Sequence, residues 1–108
     1  MNVIYGLINR DDKFKHDYRL RDQVTSAAVS IMSNIAEGFS RQSNREFIQF
    51  LFISNASSSE LQSLLYVALD QRYISERSFI ETYEQANKVS QINSGLIRYL
   101  RSTTRNKT

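Results

Sequence analysis

Proline is absent from this 108-residue chain, and glycine occurs only at positions 6, 38 and 95. A β-sandwich or barrel needs many turn residues, whereas a chain with so few of them can form long uninterrupted helices. The length suits one domain with its own core. We therefore predict an all-α fold, an up-and-down four-helix bundle with a shortened first helix, in a single domain over residues 1–108.

The composition excludes several classes of protein. With no cysteine, the chain has neither disulfides nor thiolate chemistry, which fits a reducing compartment. No apolar run approaches the ~20 residues that span a bilayer, and the first residues lack the features of a signal peptide. We therefore expect a cytoplasmic protein without a membrane partner. The net charge of +3 is compatible with nucleic acid but not diagnostic of it.

Apolar spacing predicts the first two helices. Residues 1–13 form a short first helix, from Asn2 to about Arg10, and the start of a link to the next helix, with sequence DDKFKHD. A long helix follows from Tyr18 to about Glu37, because apolar residues recur there at steps of three and four: Leu20, Val24, Ala27, Ile31 and Ile35. Gly38 comes next, where a left-handed backbone would end the helix.

A third helix is predicted from Asn44 to about Gln71. Ser43 and Glu46 have the spacing of a capping box at its start. The run FIQFLFI at residues 47–53 is apolar around the whole helix, and such a helix must be buried on more than one side. A buried β-strand is the competing interpretation, but the preceding cap favours helix. We predict a subunit interface from these residues: Ile48, Phe50, Phe52 and Ile53.

Small residues follow in SNASSS, at positions 54–59, and would let neighbouring helices approach closely. Ser75 is the expected cap of a last helix, from about Glu76 to Ser102. Its predicted inner stripe has helical spacing: Phe79, Tyr83, Ala86, Val89, Ile92, Leu96 and Leu100. Short connections make neighbouring helices antiparallel. Residues 103–108 are expected to form a frayed basic tail.

The sequence offers little material for catalysis. His16, the one histidine, lies in a charged link, and no Glu-x-x-His pair supplies a di-metal site. Asn34 and Glu37 share a helical face, but local hydrogen bonding that caps the helix explains them better than chemistry does. We therefore predict no enzyme, and assign no catalytic residue, metal or cofactor.

A DNA-reading helix-turn-helix over residues 35–47 is a rival interpretation. In that motif the alanine usually precedes the turn glycine by about four residues, whereas Ala36 and Gly38 are two apart. The candidate recognition helix also turns wholly apolar after Glu46, which leaves few side chains for base edges. A corner between two bundle helices is the better explanation.

The nucleic-acid signal that remains is a basic stripe near the C-terminus: Arg98, Arg101, Arg105 and Lys107. One stripe could contact a few phosphates, giving weak binding that salt opposes. A solvated face matched to the helix dipole is an equally good explanation in a monomer. An oligomer changes the balance, because it presents several copies of the stripe to one polyanion.

The chain resembles the bacterial four-helix-bundle family of 23S rRNA intervening-sequence proteins. The resemblance covers about Phe14 to Leu100, and its best marks are Ala27–Ile31, Ser33–Gly38, Glu46–Leu51, Glu60–Leu61 and Tyr73–Ser75. It implies a homopentameric barrel. The related accessory variability proteins of diversity-generating retroelements present a basic surface to nucleic acid and work with a reverse transcriptase. The biochemical function is unknown for most of the family.

Three departures from the family pattern stand out. Thr25 and Ser26 replace basic residues, Arg72 stands where a glycine is common, and the first helix is much shorter. Either the bundle lacks part of one helix or the native chain begins upstream of Met1. We expect a non-enzymatic bundle that self-assembles and binds RNA or DNA nonspecifically. The alternative is a protein–protein scaffold without a nucleic-acid role.

Overall fold

The computed structural model describes residues 2–103, and within them every regular element is an α-helix. The five helices are α1 (Asn2–Asn9), α2 (Asp12–His16), α3 (Tyr18–Phe39), α4 (Asn44–Asp70) and α5 (Glu76–Ser102). The all-α bundle with a short first helix is therefore confirmed. The molecule is elongated, with principal extents of 50 × 21 × 18 Å.

The three long helices form the body of the bundle, and α4 packs on both α3 and α5. Hydrogen bonds show that both pairs are antiparallel, because residues later in one helix bond to residues earlier in the other: Ser30–Ser57 and Ile31–Ser54 between α3 and α4, and Asn44–Leu100 and Asn55–Ser94 between α4 and α5. The most completely buried large apolar side chains are those of Phe14, Val24, Leu51 and Leu65. α1, with 8 residues, occupies only part of the fourth helix position, where it buries Ile4, Leu7 and Ile8.

The link between α1 and α3 is more ordered than expected. It contains the one-turn helix α2, begun by Asp11, whose carboxylate accepts a hydrogen bond from the Phe14 amide at 2.9 Å. Phe14 is fully buried and stacks on Tyr73, with ring centroids 5.3 Å apart. The Tyr73 hydroxyl donates to Asp17 at 2.9 Å, and this hydrogen bond raises the pKa of Tyr73. The link is thus fastened to the α4–α5 turn.

Both predicted serine caps are confirmed. The Ser43 hydroxyl accepts from the Glu46 amide at 3.2 Å, and Ser75 accepts from the Ser78 amide at 3.1 Å. The arrangement differs from a full capping box, in which the glutamate would accept from the Ser43 backbone amide. Here the Glu46 carboxylate accepts a hydrogen bond from the Ser43 hydroxyl. At the α4–α5 turn Arg72 has a φ of 62°, the left-handed conformation that favours glycine.

The prediction that Gly38 ends its helix in a left-handed conformation is wrong. Gly38 lies inside α3, which continues to Phe39, and its φ is not positive. Its role is close packing, because a Cβ atom there would lie 2.8 Å from both Phe47 Cδ1 and Phe50 Cβ. The missing side chain lets the end of α3 lie against the first turns of α4.

We expect Gly38→Ala to destabilise the fold by about 1–3 kcal/mol, the usual cost of overpacking. Gly95→Ala is the matched control, because its added Cβ would meet nothing closer than 3.7 Å and alanine favours a helix by roughly 0.5–1 kcal/mol. Urea unfolding followed by circular dichroism measures both. Equal stabilisation by the two alanines would contradict the close contact at Gly38.

The predicted inner stripe of α5 is wrong at Ile92, which is 62% exposed, whereas its neighbour Asn93 is 2% exposed. The Asn93 amide donates to the Ser54 hydroxyl at 3.1 Å and to the Asn55 side-chain oxygen at 3.0 Å. Ser54 in turn donates to the Ile31 carbonyl at 2.9 Å. The core at this level is a hydrogen-bonded seam, and the serines that permit close approach also bond across it.

Asn93→Ala should lower the free energy of unfolding by about 1–3 kcal/mol, because it leaves the Asn55 oxygen without its buried donor. Asn87→Ala, at an exposed position of the same helix, should change it by less than about 0.5 kcal/mol. Thermal and urea unfolding of the two variants test the seam. A loss at Asn87 as large as that at Asn93 would contradict it.

Candidate nucleic-acid interface

The start of α4 is fastened to the end of α5. The Asn44 side-chain amide donates to the Leu100 carbonyl at 3.3 Å and to the Thr103 hydroxyl at 2.8 Å. Of the predicted basic stripe, Arg98 and Arg101 are exposed on the last turns of α5. Arg105 and Lys107 lie outside the described residues. The described half of the stripe therefore sits beside the first turns of α4.

This juxtaposition adds Arg45, which sequence reasoning missed. Arg45 is exposed on the first turn of α4, next to the Asn44 that bonds the end of α5. More than fifty residues separate it from Arg98 and Arg101. The signal that could have found it is the antiparallel pairing of two helices of equal length, which brings the start of one to the end of the other.

Phe52 joins the same surface. The Arg101 guanidinium lies over the Phe52 ring, with its carbon 5.4 Å from the ring centroid, in the range of a cation–π contact. Positions 45, 49 and 52 follow at steps of four and three, so they share one face of α4. A residue predicted to bind nucleic acid and a residue predicted to form a subunit interface therefore touch.

Arg41, in the corner between α3 and α4, is placed differently. Its guanidinium bonds the Glu37 carboxylate at 2.8 Å and lies 4.9 Å from the centroid of the Phe50 ring. Its charge is therefore partly compensated on the α3 side of α4. Arg41 strengthens the corner and contributes less than Arg45 to the surface beside α5.

Charge is unevenly distributed along the bundle. We define the basic end as α3 from Gln23, the corner, α4 as far as Ser59, and α5 from Gln85. There five basic side chains (Arg41, Arg45, Lys88, Arg98, Arg101) face two carboxylates (Glu37, Glu46). The other end carries the remaining carboxylates: Asp11, Asp12, Asp17, Asp22, Glu60, Asp70, Glu76, Glu81 and Glu84. Its basic residues are Arg10, Lys13, Lys15, Arg19, Arg21, Arg72 and Arg77.

The four predicted interface residues divide into two pairs. Ile48 packs against the Leu51, Ile97 and Leu100 cluster, and Phe50 is half-buried beside Gly38. Phe52 and Ile53 remain 47% and 48% exposed. In the single chain, the apolar residues of the 47–53 run are therefore buried or half-buried except on the outer face of α4, where Phe52 and Ile53 remain exposed.

A second apolar surface lies where α1 stops. α1 sits between α3 and α5, and Val3 and Ile4 line a small apolar cavity with Met32 and Val89. Beyond that level the same faces of α3 and α5 continue without α1. We call this surface the open groove. By helical spacing it takes six exposed or half-exposed apolar side chains of α3 and α5: Met32, Ile35, Phe39, Ile92, Leu96 and Tyr99. Phe39, Ile92 and Tyr99 are each more than 60% exposed.

The described residues contain no cluster of side chains suited to a metal ion. His16 is exposed, with Nδ1 2.8 Å from the Asp12 carbonyl oxygen. Asn34 donates to the Ser30 carbonyl one turn earlier at 2.8 Å, so its hydrogen bonding is local, as expected, although it does not cap the end of the helix. Residues 2–103 contain no group of three histidine, aspartate or glutamate side chains able to hold a metal.

The packing of α3 and α4 argues against the helix-turn-helix interpretation. α3 and α4 pack along their lengths as an antiparallel pair, which differs from the steep crossing of a helix-turn-helix. Among the described helices, none is long and apolar enough to cross a bilayer.

Comparison with solved structures shows which known fold the chain shares. A protein with unknown function from the S23 ribosomal protein family of Bacteroides thetaiotaomicron is similar in fold, with a TM-score of 0.76. The two sequences are 18% identical, and the match covers 90% of this chain and 93% of that one. The likeness establishes a shared helical-bundle fold.

The sequence itself assigns the family. Residues 1–95 match the 23S rRNA-intervening sequence protein family, so the chain belongs to that family. The comparison with curated proteins found no match. The family resemblance expected from the SNIAEG and FIQFL segments is confirmed.

Proposed function

We propose that this protein is a non-enzymatic bundle that self-associates and binds nucleic acid nonspecifically through its basic end. The observation that carries the proposal is the hydrogen bonding of Asn44 to Leu100 and Thr103. It places the start of α4, which carries Arg45, beside the end of α5, which carries Arg98 and Arg101. Clustered arginines on one face are the electrostatic footprint of a polyanion-binding protein.

The arginines of this cluster are available to phosphates. Within residues 2–103, no carboxylate lies within 4.0 Å of Arg45, Arg98 or Arg101. An arginine without an intramolecular carboxylate can bind a phosphate without first breaking an ion pair. The structurally similar protein from Bacteroides thetaiotaomicron has unknown function, so the proposal rests on this surface.

Self-association is supported by two apolar surfaces on different sides of the molecule. Ile53 and Ala56 are exposed on the outer face of α4, whereas the open groove lies between α3 and α5, across the bundle. Contact between unlike surfaces is head-to-tail, and it closes into a ring when the rotation between copies permits. A ring agrees with the homopentamer that the family resemblance implies, and it would bring several basic ends to one polyanion.

A protein–protein scaffold is the second candidate, favoured by the open groove. Its exposed apolar side chains suit a partner helix as well as another copy of the chain. The resemblance to retroelement accessory proteins suggests a reverse transcriptase as such a partner. Under this alternative the basic end has no ligand, and neutralising it leaves function unchanged.

Arg98→Gln combined with Arg101→Gln should weaken binding to a structured RNA and reduce its salt dependence. The slope of log affinity against log salt should fall in magnitude by about 2 for each bound protomer, because two phosphate contacts are lost. Fluorescence anisotropy of a labelled RNA across a salt series measures both quantities.

The matched control is Arg19→Gln with Arg77→Gln, which removes the same charge from exposed positions at the other end. This pair should retain most of the affinity. If both double variants lose affinity equally, the binding reflects net charge and the proposed site is wrong. If the wild type binds no RNA at low salt, the scaffold candidate replaces the proposal.

Ile92→Glu should reduce the mass of the particle in solution, because a carboxylate placed in the open groove would be buried by a neighbouring copy. Ile92 is 62% exposed in the single chain, so the fold itself should tolerate the change. Multi-angle light scattering measures the mass. Ile80→Glu, at a position 52% exposed and outside both apolar surfaces, should leave it unchanged. A monomeric wild type would contradict self-association.

A further inference from the structure

We propose that the ligand is single-stranded RNA and that it lies along the α4–α5 face, with one base stacked on Phe52 and the phosphates on Arg45, Arg98 and Arg101. The inference rests on the proposed nucleic-acid role and makes it specific. The α4–α5 face comprises six exposed or half-exposed side chains of α4 and α5: Arg45, Gln49, Phe52, Gln91, Arg98 and Arg101.

Helical spacing and two hydrogen bonds between α4 and α5 bring these side chains onto one face. Positions 91, 94, 98 and 101 follow at steps of three and four on α5, just as 45, 49 and 52 do on α4. The Asn55–Ser94 hydrogen bond at 3.3 Å and the Asn44–Thr103 hydrogen bond at 2.8 Å hold the two helices side by side along it. The face is therefore a fixed surface, whose residues are positioned by helices rather than by loops.

The charge of the face is of one sign. α4 carries no charged side chain from Phe47 to Ser59, and α5 carries no carboxylate from Gln85 onward. The carboxylate of Glu46 is the one within the first turns of α4, and it turns toward the corner, within 3.4 Å of the Ser43 hydroxyl. A polyanion on this face would meet arginines and neutral amides.

Phe52 adds an exposed aromatic ring, on which a base can stack, to the positively charged surface. Its ring is 47% exposed, although the surrounding turns of α4 contribute to the core. The Arg101 guanidinium lies over one face of the ring, with its carbon 5.4 Å from the centroid, so a base that stacks on this face would take the place of the guanidinium, which could then bind a phosphate. Unpaired bases stack on aromatic rings and on guanidinium planes, whereas a duplex hides its base faces. The combination therefore favours single strands.

The spacing of the groups suits a strand that passes over the ring. Arg45 and Phe52 are seven residues apart, which is about 10 Å along a helix. The arginines of α5 lie beside these two turns because the helices are antiparallel. A base on Phe52 would therefore have arginines close to the phosphates that flank it.

Neutral hydrogen-bonding groups favour RNA over DNA. Gln49 and Gln91 are exposed, and each amide offers both a donor and an acceptor. The 2′-hydroxyl is likewise a donor and an acceptor, and it is the group by which proteins distinguish RNA. A protein helix is a poorer occupant here, because the larger apolar surface is the open groove on the other side of the bundle.

Phe52→Trp provides a direct test, because the chain contains no tryptophan. Stacking of a base on the new indole should quench its fluorescence when an unstructured 20-nucleotide RNA is added. The same RNA annealed to its complement should quench it much less. Ile80→Trp, exposed at the other end of α5, is the control and should not respond to either RNA.

Phe52→Leu measures the contribution of the ring to affinity. It keeps an apolar side chain and removes the stacking surface, so binding of the single strand should weaken about five-fold or more. Binding of the duplex should change little. Light scattering on the same variant checks that its mass equals that of the wild type, so that a loss of affinity is not a loss of assembly.

The outcomes separate this inference from the proposed function. Equal affinity for single strand and duplex, with no tryptophan quenching, would overturn the inference while the dependence on Arg98 and Arg101 preserved the proposed function. Equal binding of single-stranded DNA of the same sequence would overturn the assignment to RNA. A lower particle mass for Phe52→Leu, without fluorescence quenching in Phe52→Trp, would show that Phe52 contributes to a subunit interface and not to RNA binding. Absence of RNA binding at low salt would overturn both.

Discussion

The structure depends on one fully buried hydroxyl, that of Ser54 in the middle of α4. It donates to the Ile31 carbonyl of α3 and accepts from the Asn93 amide of α5, so a single side chain joins all three long helices. Such a bond resists sliding of one helix past another, because displacement would leave buried polar groups without partners. The hydrophobic effect drives the helices together, and this seam fixes their relative register.

The register has consequences at the basic end. With Ser54 opposite Asn93, antiparallel geometry places Asn44 opposite the last turn of α5, where it bonds Leu100 and Thr103. Arg45 then lies beside Arg98 and Arg101, and Phe52 lies beneath the Arg101 guanidinium. A slip of one turn at the seam would separate these groups, even though every helix remained intact.

Local rules predicted the helices well and predicted their contacts less well. The Ser43 and Ser75 caps and the bounds of α4 and α5 follow from interactions within a few residues, which a sequence displays directly. Asn93 is buried instead of Ile92 because it bonds to Ser54 and Asn55 of another helix, so hydrophobicity alone predicts the wrong one of the two neighbours. The need for glycine at position 38 also arises from another helix, because a Cβ atom there would collide with Phe47 and Phe50 of α4.

The candidate site shows the same division. The common stripe of Arg98 and Arg101 could be predicted because three residues separate them on one helix. Arg45 was missed, although the predicted antiparallel pairing of two helices of equal length already brings the start of α4 to the end of α5. What the spacing along the chain does not give is the register of that pairing, which the buried seam sets. The link was likewise misjudged, since Phe14 is buried by stacking on Tyr73, a residue far away in sequence.

The uneven distribution of charge makes the molecule an electric dipole along its 50 Å axis. The Debye length at physiological ionic strength is about 8 Å, so each end of the axis is screened from what happens at the other. The carboxylates at the α1–α2 end therefore do not repel a polyanion that approaches the arginines. A polyanion that approached the molecule would act mainly on the charges nearest to it, so attraction would favour encounters with the α3–α4 corner leading and the α4–α5 turn trailing.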